Sequence, residues 1–345
     1  MQSFKHFREA VYSFRVSRII FSALDLDLFN VMGHREWAIP QLAKRLKVST
    51  RGLSILCRNL ASVGLLVPAL GRYRTSVMVK RYLQKESGEY RGDYVGLMHR
   101  QWEEWSRLTE VVKTGVPFDS EEPEPPGHRE SFTWAMHHRS QEPAEQVASQ
   151  LSLKSARALL DLGGGPGTYA LAFLQKNPKL QATVMDRQAA LEVAKMIAQQ
   201  SSLESRLSVL SGNFIDDKIT GKYDIIWYSN VLHIYSPAEN LKVFRKIKRA
   251  LKPGGRLLIQ DTFLENPKGL RPLESNLFAV SMLLYTDTGN TYPIQEVRAW
   301  LQKAGLNRIR VIRLKKGTGD WEGQLLEARL PISISVPRKI SHRSI

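Results

Sequence analysis

Cysteine is almost absent, with Cys57 the only one among 345 residues. One thiol cannot close an intramolecular disulfide, and it rules out every cysteine-rich zinc module, so no metal is expected. Nothing therefore points to an oxidising compartment. Long apolar runs are missing as well, and none approaches the ~20 residues that a spanning helix requires. The opening Met1-Gln2-Ser3-Phe4-Lys5 has no apolar core of the kind a secretory signal carries, so a cytoplasmic location is expected. Acidic residues are scarce relative to basic ones, 33 against 50, which leaves a net charge of +17. The surplus is uneven: residues 1–100 hold 17 Lys/Arg and 7 Asp/Glu, whereas residues 101–150 reverse the balance with 4 and 10. A basic excess attracts polyanions in a general way, but solvated lysines and arginines give the same count, and nucleic acid is not the expected partner.

What is present suits two domains and short appendages. Residues 5–32 read as one helix with apolar positions Phe7, Val11, Phe14, Val16, Ile19, Ile20, Ala23, Leu24, Leu26, Leu28 and Phe29. That face is broader than one core needs and suggests a partner surface. A short helix follows from Pro40, and Ser49-Thr50 caps another with Leu53, Leu56, Leu60 and Val63 on one side. A basic hairpin around Gly71-Arg72 completes a helix-turn-helix with a β-wing, a winged-helix domain over residues 1–100. Arg51 and Arg58 on its second helix leave a DNA-binding reading open beside the dimerisation one. Residues 101–150 form a helical linker containing an acidic, proline-rich loop around residues 118–127. Residues 331–345 form a basic tail expected to be poorly ordered.

From residue 151 to 330 short apolar strands alternate with amphipathic helices, a pattern that predicts a Rossmann-like α/β domain with a parallel sheet. The seven expected strands are 158–162, 182–185, 207–211, 223–228, 256–260, 308–312 and 324–328. One helix is expected over 239–251, ended by Pro253-Gly254-Gly255. The first strand runs into Asp161-Leu162-Gly163-Gly164-Gly165-Pro166-Gly167 and then a helix. In that context glycines let the backbone turn tightly and approach a ligand at the helix N-terminus. Asp186, ending the second strand, can accept both hydroxyls of a ribose. That geometry would serve NAD as well as another adenosine cofactor. Gly212-Asn213-Phe214 ends the third strand, where Asn213 can meet an adenine edge and Phe214 can stack on the ring.

With these residues in place, residues 132–330 resemble the class I S-adenosylmethionine-dependent O-methyltransferases related to plant caffeate and hydroxyindole enzymes. Bacterial polyketide O-methyltransferases and a bacteriochlorophyll C-methyltransferase share the architecture. The N-terminal winged helix matches too, and the family uses it for dimerisation, so a homodimer is implied. The family's glycine motif falls on Asp161, Gly163, Gly165 and Gly167, its ribose acid on Asp186, and its adenine motif on Asn213 and Phe214, with Asn213 in place of the usual aspartate. S-adenosylmethionine is the implied cofactor.

Residues Asn230-Val231-Leu232-His233 follow the fourth strand. A phenol with pKa about 10 is mostly protonated at neutral pH, and a neutral imidazole within reach is suited to take its proton. The resemblance puts the family's general base on His233. It puts the orienting acid on Asp261, where aspartate replaces glutamate; one methylene fewer implies a longer or water-bridged contact. The family's second acid falls near Thr291, which carries no charge. Phe132, Met136, Met282 and Thr286 lie on segments with which the family lines its acceptor site. The implied function is methyl transfer to a hydroxyl of an aromatic small molecule. A C-methyltransferase acting on a tetrapyrrole or polyketide, and a winged-helix regulator that senses the cofactor, are the alternatives.

Overall fold

The computed structural model describes residues 3–118, 128–266, 268–314 and 324–331. The chain divides into two compact units, Met1–Glu103 and Glu104–Ile345. The expected acidic loop and basic tail lie, apart from Phe118 and Pro331, outside the described residues.

In the first unit the helix expected over 5–32 is three helices: α1 (Phe4–Tyr12), α2 (Phe14–Asp25) and α3 (Leu28–Met32). Polar side chains that bond to nearby groups compete with helix continuation and make both breaks. Ser13 Oγ donates to the Ala10 carbonyl at 2.7 Å. Asp27 takes a left-handed φ of 50° while Asn30 Nδ2 donates to its carboxylate at 2.6 Å. The breaks also divide the apolar face. Ala23, Leu28, Phe29 and Met32 enter the core, while Phe4, Phe7, Val11, Phe14 and Val16 remain exposed.

After β1 (Trp37–Ala38) come α4 (Ile39–Leu46), with Pro40 in its first turn, and α5 (Thr50–Ser62), with Ser49 Oγ accepting from Gly52 N. Strands β2 (Leu66–Ala69) and β3 (Arg72–Thr75) pair antiparallel, and β1 adds to β3. Leu42, Leu53, Leu60 and Val79 of α6 (Val77–Tyr82) share one core with α3. Cys57, rather than Val63, takes the fourth inward position on α5, because Val63 lies past the helix end. Helix α7 (Gly92–Ser106) carries the chain across the boundary.

The second unit begins with α8 (Leu108–Thr114) and α9 (His128–Gln150). Strand and helix then alternate through β4 (Ala158–Leu162), α10 (Thr168–Lys176), β5 (Gln181–Asp186), α11 (Gln188–Gln200), β6 (Leu207–Ser211) and β7 (Tyr223–Ser229). The series continues with α12 (Pro237–Ala250), β8 (Leu251–Asp261), α13 (Leu273–Tyr285), α14 (Ile294–Lys303), β9 (Asn307–Ile312) and β10 (Gln324–Arg329). Helix α12 stops at Ala250, and Pro253-Gly254-Gly255 belongs to β8 rather than to a turn before it.

All seven expected strands join one sheet in the order β6-β5-β4-β7-β8-β10-β9. The parallel expectation holds except for β10, which runs antiparallel to both β8 and β9. Residues 313–323 are too few for the crossover of a dozen or more residues that a parallel neighbour needs. Side-chain alternation divides the interior into two cores. Leu159, Ile225, Trp227 and Leu258 pack on one face with residues of α9, α10 and α11. Leu160, Ile226, Tyr228 and Ile259 pack on the other with residues of α12 and α14. Strand order reverses at β4, whose neighbours are β5 and β7, and ligands of such sheets bind outside the carboxyl ends at that point.

Candidate active site

The glycine loop leaves β4 at that reversal. Gly163, Gly165 and Gly167 all have positive φ, between 52° and 72°. A Cβ on Gly163 would stand 2.8 Å from Val231 Cγ2 and 3.3 Å from Phe214, so packing as well as backbone conformation demands glycine there. At Gly165 a Cβ would meet nothing within 4 Å, which marks an open cradle. The loop is tied to the next strand, since Gly165 N donates to Asp186 Oδ2 at 2.8 Å. Asp186 Oδ1 accepts from Arg187 N at 2.6 Å. Burial raises the Asp186 carboxyl above its usual range against these two bonds, and four lone pairs leave room for further donors.

Asp161 lies fully buried beneath the loop. Among the described residues its one donor is Ala170 N at 3.3 Å, a long contact. Burial pushes its pKa to about 7, with the Asp186 charge adding to the rise. A buried acid held this weakly suits a cationic partner, so the cradle and its acids fit a zwitterionic adenosine cofactor.

Phe214 is buried beside Gly163, with its ring edge-on to Tyr228 and Tyr235. Asn213 is exposed and largely committed to its own turn: Oδ1 accepts from Ile215 N at 3.1 Å and Nδ2 donates to Asp216 at 3.0 Å. Any adenine contact from Asn213 has the remaining amide capacity only.

The second cluster follows β7. Asn230 adopts φ 54°, a conformation asparagine tolerates, and turns the chain into a short 3₁₀ segment holding His233. Ser236 then starts α12 with a reciprocal capping box to Glu239. Asn240, wholly buried on α12, donates to the carbonyls of Leu232, Tyr235 and Ser236 at 2.9–3.1 Å and holds the turn in place. His233 Nδ1 lies 2.8 Å from Asp261 Oδ1, a direct contact rather than the longer one that the shorter side chain implied. The reach is sufficient because Leu232 N also donates to Asp261, at 3.1 Å, drawing the turn onto the strand end. Thr262 N adds a third bond at 2.7 Å. With Nδ1 donating to the carboxylate, Nε2 is left as the acceptor nitrogen.

Phe278 on α13 meets the His233 ring edge-on at 4.7 Å. Neither Phe278 nor Asn240 stood out in the sequence. Met282, one turn beyond Phe278 on α13, is buried, and the i,i+4 spacing of Phe278 and Met282 was the available signal. Thr286 donates to Met282 O and accepts from Gly289 N, so its hydroxyl closes the end of α13. Phe132 is exposed and Met136 half-buried on α9, and no contact of either with the His233–Asp261 pair is recorded among the described residues. Thr291 is buried, its hydroxyl has no hydrogen-bond partner among the described residues, and it lines a cavity of about 470 Å³ with Asn276, Asn290 and Tyr292.

A glycine cradle at the sheet's reversal point, with acids beside it and a buried His–Asp pair on the next strand ends, defines an α/β transferase of the class that holds a nucleoside cofactor. The comparisons with known proteins agree. Residues 108–307 match the O-methyltransferase domain, and residues 9–85 match the O-methyltransferase dimerisation domain. The chain belongs to this O-methyltransferase family. It is 28% identical over 300 residues to 3-hydroxy-5-methyl-1-naphthoate 3-O-methyltransferase of Streptomyces sahachiroi, covering 85% of this chain and 86% of that protein. It is 25% identical over 301 residues to L-tyrosine C(3)-methyltransferase of Streptomyces lavendulae, covering 83% and 82%. The structure of human N-acetylserotonin methyltransferase in complex with SAM superposes with a TM-score of 0.82 at 23% identity, over 96% of this chain and 98% of that one. Among the described residues, no helix is long and apolar enough to cross a membrane.

Proposed function

We propose that this enzyme transfers a methyl group from S-adenosylmethionine to the hydroxyl of an aromatic small molecule, with His233 as general base. The observation that carries the reading is the direct 2.8 Å contact of His233 Nδ1 with the buried Asp261. Bound in the cradle, the sulfonium donor supplies an electrophilic methyl group. Residues of the chain do the rest. Asp161, Gly163, Gly165 and Gly167 shape the cofactor site, Asp186 receives the ribose hydroxyls, and Phe214 with Asn213 borders the adenine. His233 Nε2 takes the phenolic proton as the oxygen becomes nucleophilic, and Asp261 holds the ring tautomer and offsets the imidazolium charge. Phe278, Met282, Met136, Phe132 and Thr286 border the acceptor. Edge contact from Phe278 fixes the plane of the imidazole and keeps water from one side of it.

The naphthoate specificity named for the Streptomyces sahachiroi relative supports a fused-ring or polyketide-type phenol as acceptor. The N-terminal unit serves as a winged-helix dimerisation domain, supported by the match over residues 9–85 and the exposed apolar positions of α1 and α2. The division into domains 1–100, 101–150, 151–330 and 331–345 and a cytoplasmic location are parts of the same reading.

A C-methyltransferase of the same fold is the second reading, and the tyrosine C(3)-methylating relative is the observation in its favour. His233→Ala separates the two. Loss of a general base lowers turnover on a phenolic hydroxyl by about 10²–10⁴-fold. Transfer to an activated ring carbon that survives the substitution would favour the second reading. The test is a rate assay with labelled methyl donor on phenols, quinols and polyketides.

A further inference from the structure

One buried histidine is not used by the mechanism above. His137 on α9 is far in sequence from His233 and Asp261, and its ring sits against Thr168, the first residue of the helix that follows the glycine loop. Its Nδ1 lies 2.9 Å from Thr168 Oγ1, and its Nε2 lies 3.2 Å from Gln141 Nε2. An amide nitrogen only donates, so ring Nε2 accepts and Nδ1 carries the proton. The order of donation is therefore Gln141 to His137 to Thr168. Thr168 accepts at its oxygen and keeps its own proton, for which no acceptor is recorded among the described residues.

That proton lies where an anion is favoured. Thr168 is the first residue of α10, directly after Gly167, and the helix N-terminus adds the attraction of its unpaired amides. Two residues further on, Ala170 N reaches the Asp161 carboxylate. One end of the loop thus offers a carboxylate to an ammonium, and the adjacent position offers a hydroxyl proton to a carboxylate. Together they complement the two charges of an α-amino acid. The ring is neutral at physiological pH, because burial, helped by the neighbouring His138, pushes its pKa down to about 4.

We propose that His137 is a positioning residue for the cofactor, orienting the Thr168 hydroxyl to donate to the carboxylate at the amino-acid end of the sulfonium donor. The inference rests on the cofactor reading given above and adds two residues to it.

Titration calorimetry with two probes tests it. S-adenosylhomocysteine carries the amino-acid end without a transferable methyl, and 5′-methylthioadenosine keeps the nucleoside but lacks that end. Thr168→Val should weaken S-adenosylhomocysteine by about tenfold, the loss of one hydrogen bond to a charged group, while methylthioadenosine changes by less than about twofold. His137→Ala should weaken S-adenosylhomocysteine selectively in the same way. His137→Asn, whose amide nitrogen replaces ring Nδ1, should restore most of it. The double variant His137→Ala/Thr168→Val should be no worse than Thr168→Val, since the two act as one chain. Equal weakening of both probes would mean that the variants loosen the fold around α10, and unchanged affinity for S-adenosylhomocysteine would mean that no such donor is used. Either result overturns the proposal. Failure of the wild-type protein to bind either probe would remove the cofactor reading and this inference with it.

Discussion

At the scale of single residues, the site places two carboxylates under opposite demands. Asp261 accepts from His233, Leu232 and Thr262, so both of its oxygens are engaged. Asp261→Asn keeps an acceptor for one backbone amide but presents a donor to another partner, so turnover should fall without loss of cofactor binding. Steady-state kinetics and calorimetry on the same preparation check this. Asp161 is the contrary case, buried with one long contact and a pKa of about 7 against 3.8 for a free side chain. A raised carboxyl pKa means that the folded state holds a proton which the unfolded state has released. Stability of the cofactor-free protein is therefore lost as pH rises from about 4 to about 7. Asp161→Asn removes that loss, and cofactor-free melting temperatures should converge near pH 4 and favour the variant above pH 7. The same variant should bind S-adenosylhomocysteine more weakly, because the ammonium loses its counter-charge. The proximity of His233 and Asp261 was legible in the sequence because the resemblance paired them at neighbouring strand ends. Phe278 and Asn240 were not, because ring packing and a three-carbonyl brace arise only once α12 and α13 dock.

Elements of the fold carry a second set of consequences. Gly163 and Gly165 differ in what surrounds them, although both have positive φ. Gly163→Ala adds a clash with Val231 to the strain of a left-handed residue and should destabilise the protein by more than the ~1 kcal/mol expected of strain alone. Gly165→Ala should show the strain cost alone in melting but a larger loss in cofactor affinity, since its Cβ points into the open cradle. On the sheet, Glu327 of β10 is wholly buried and contacts Arg329 at 2.6 Å, Arg310 at 3.1 Å and Arg256 at 3.6 Å. Burial would raise its pKa, but the hydrogen bonds from Arg329 and Arg310 and the Arg256 charge lower it. Its contribution is present above the free glutamate value near 4.5 and is lost as pH falls through the lower folded value. Glu327→Gln leaves Arg256 uncompensated and should cost about 3 kcal/mol in urea unfolding at pH 7, and less at pH 3. The sequence showed β10 as an apolar strand but not its direction, which follows from the short connection after β9. The breaks at Ser13 and Asp27 were hidden in the same way, since apolar periodicity continues across them while local polar bonds end the helices.

For the whole molecule, charge and apolar surface make separate statements. The basic surplus defines no partner, while the dimerisation match and the exposed Phe7, Val11, Phe14 and Val16 support the proposed homodimer. Light scattering should give twice the 39.2 kDa chain mass, and Phe7→Glu/Val11→Glu should move the protein toward monomer. A monomeric wild type would remove the dimer from the account. The sequence exposed the two-unit plan through the change from a helical, basic N-terminal third to alternating strands and helices. It could not expose the acceptor, because the residues proposed to border it lie on three separate segments, α9, the β7–α12 turn and α13.

Locating the transferred methyl group tests the central claim most directly. The enzyme is incubated with ¹³C-methyl-labelled S-adenosylmethionine and a panel of phenols and aromatic polyketides, and each product is read by NMR. An O-methyltransferase using His233 as base gives a methyl resonance of an aryl ether, absent from the His233→Ala product over the same time. A methyl group on ring carbon, or ether formation undiminished in the variant, would contradict it.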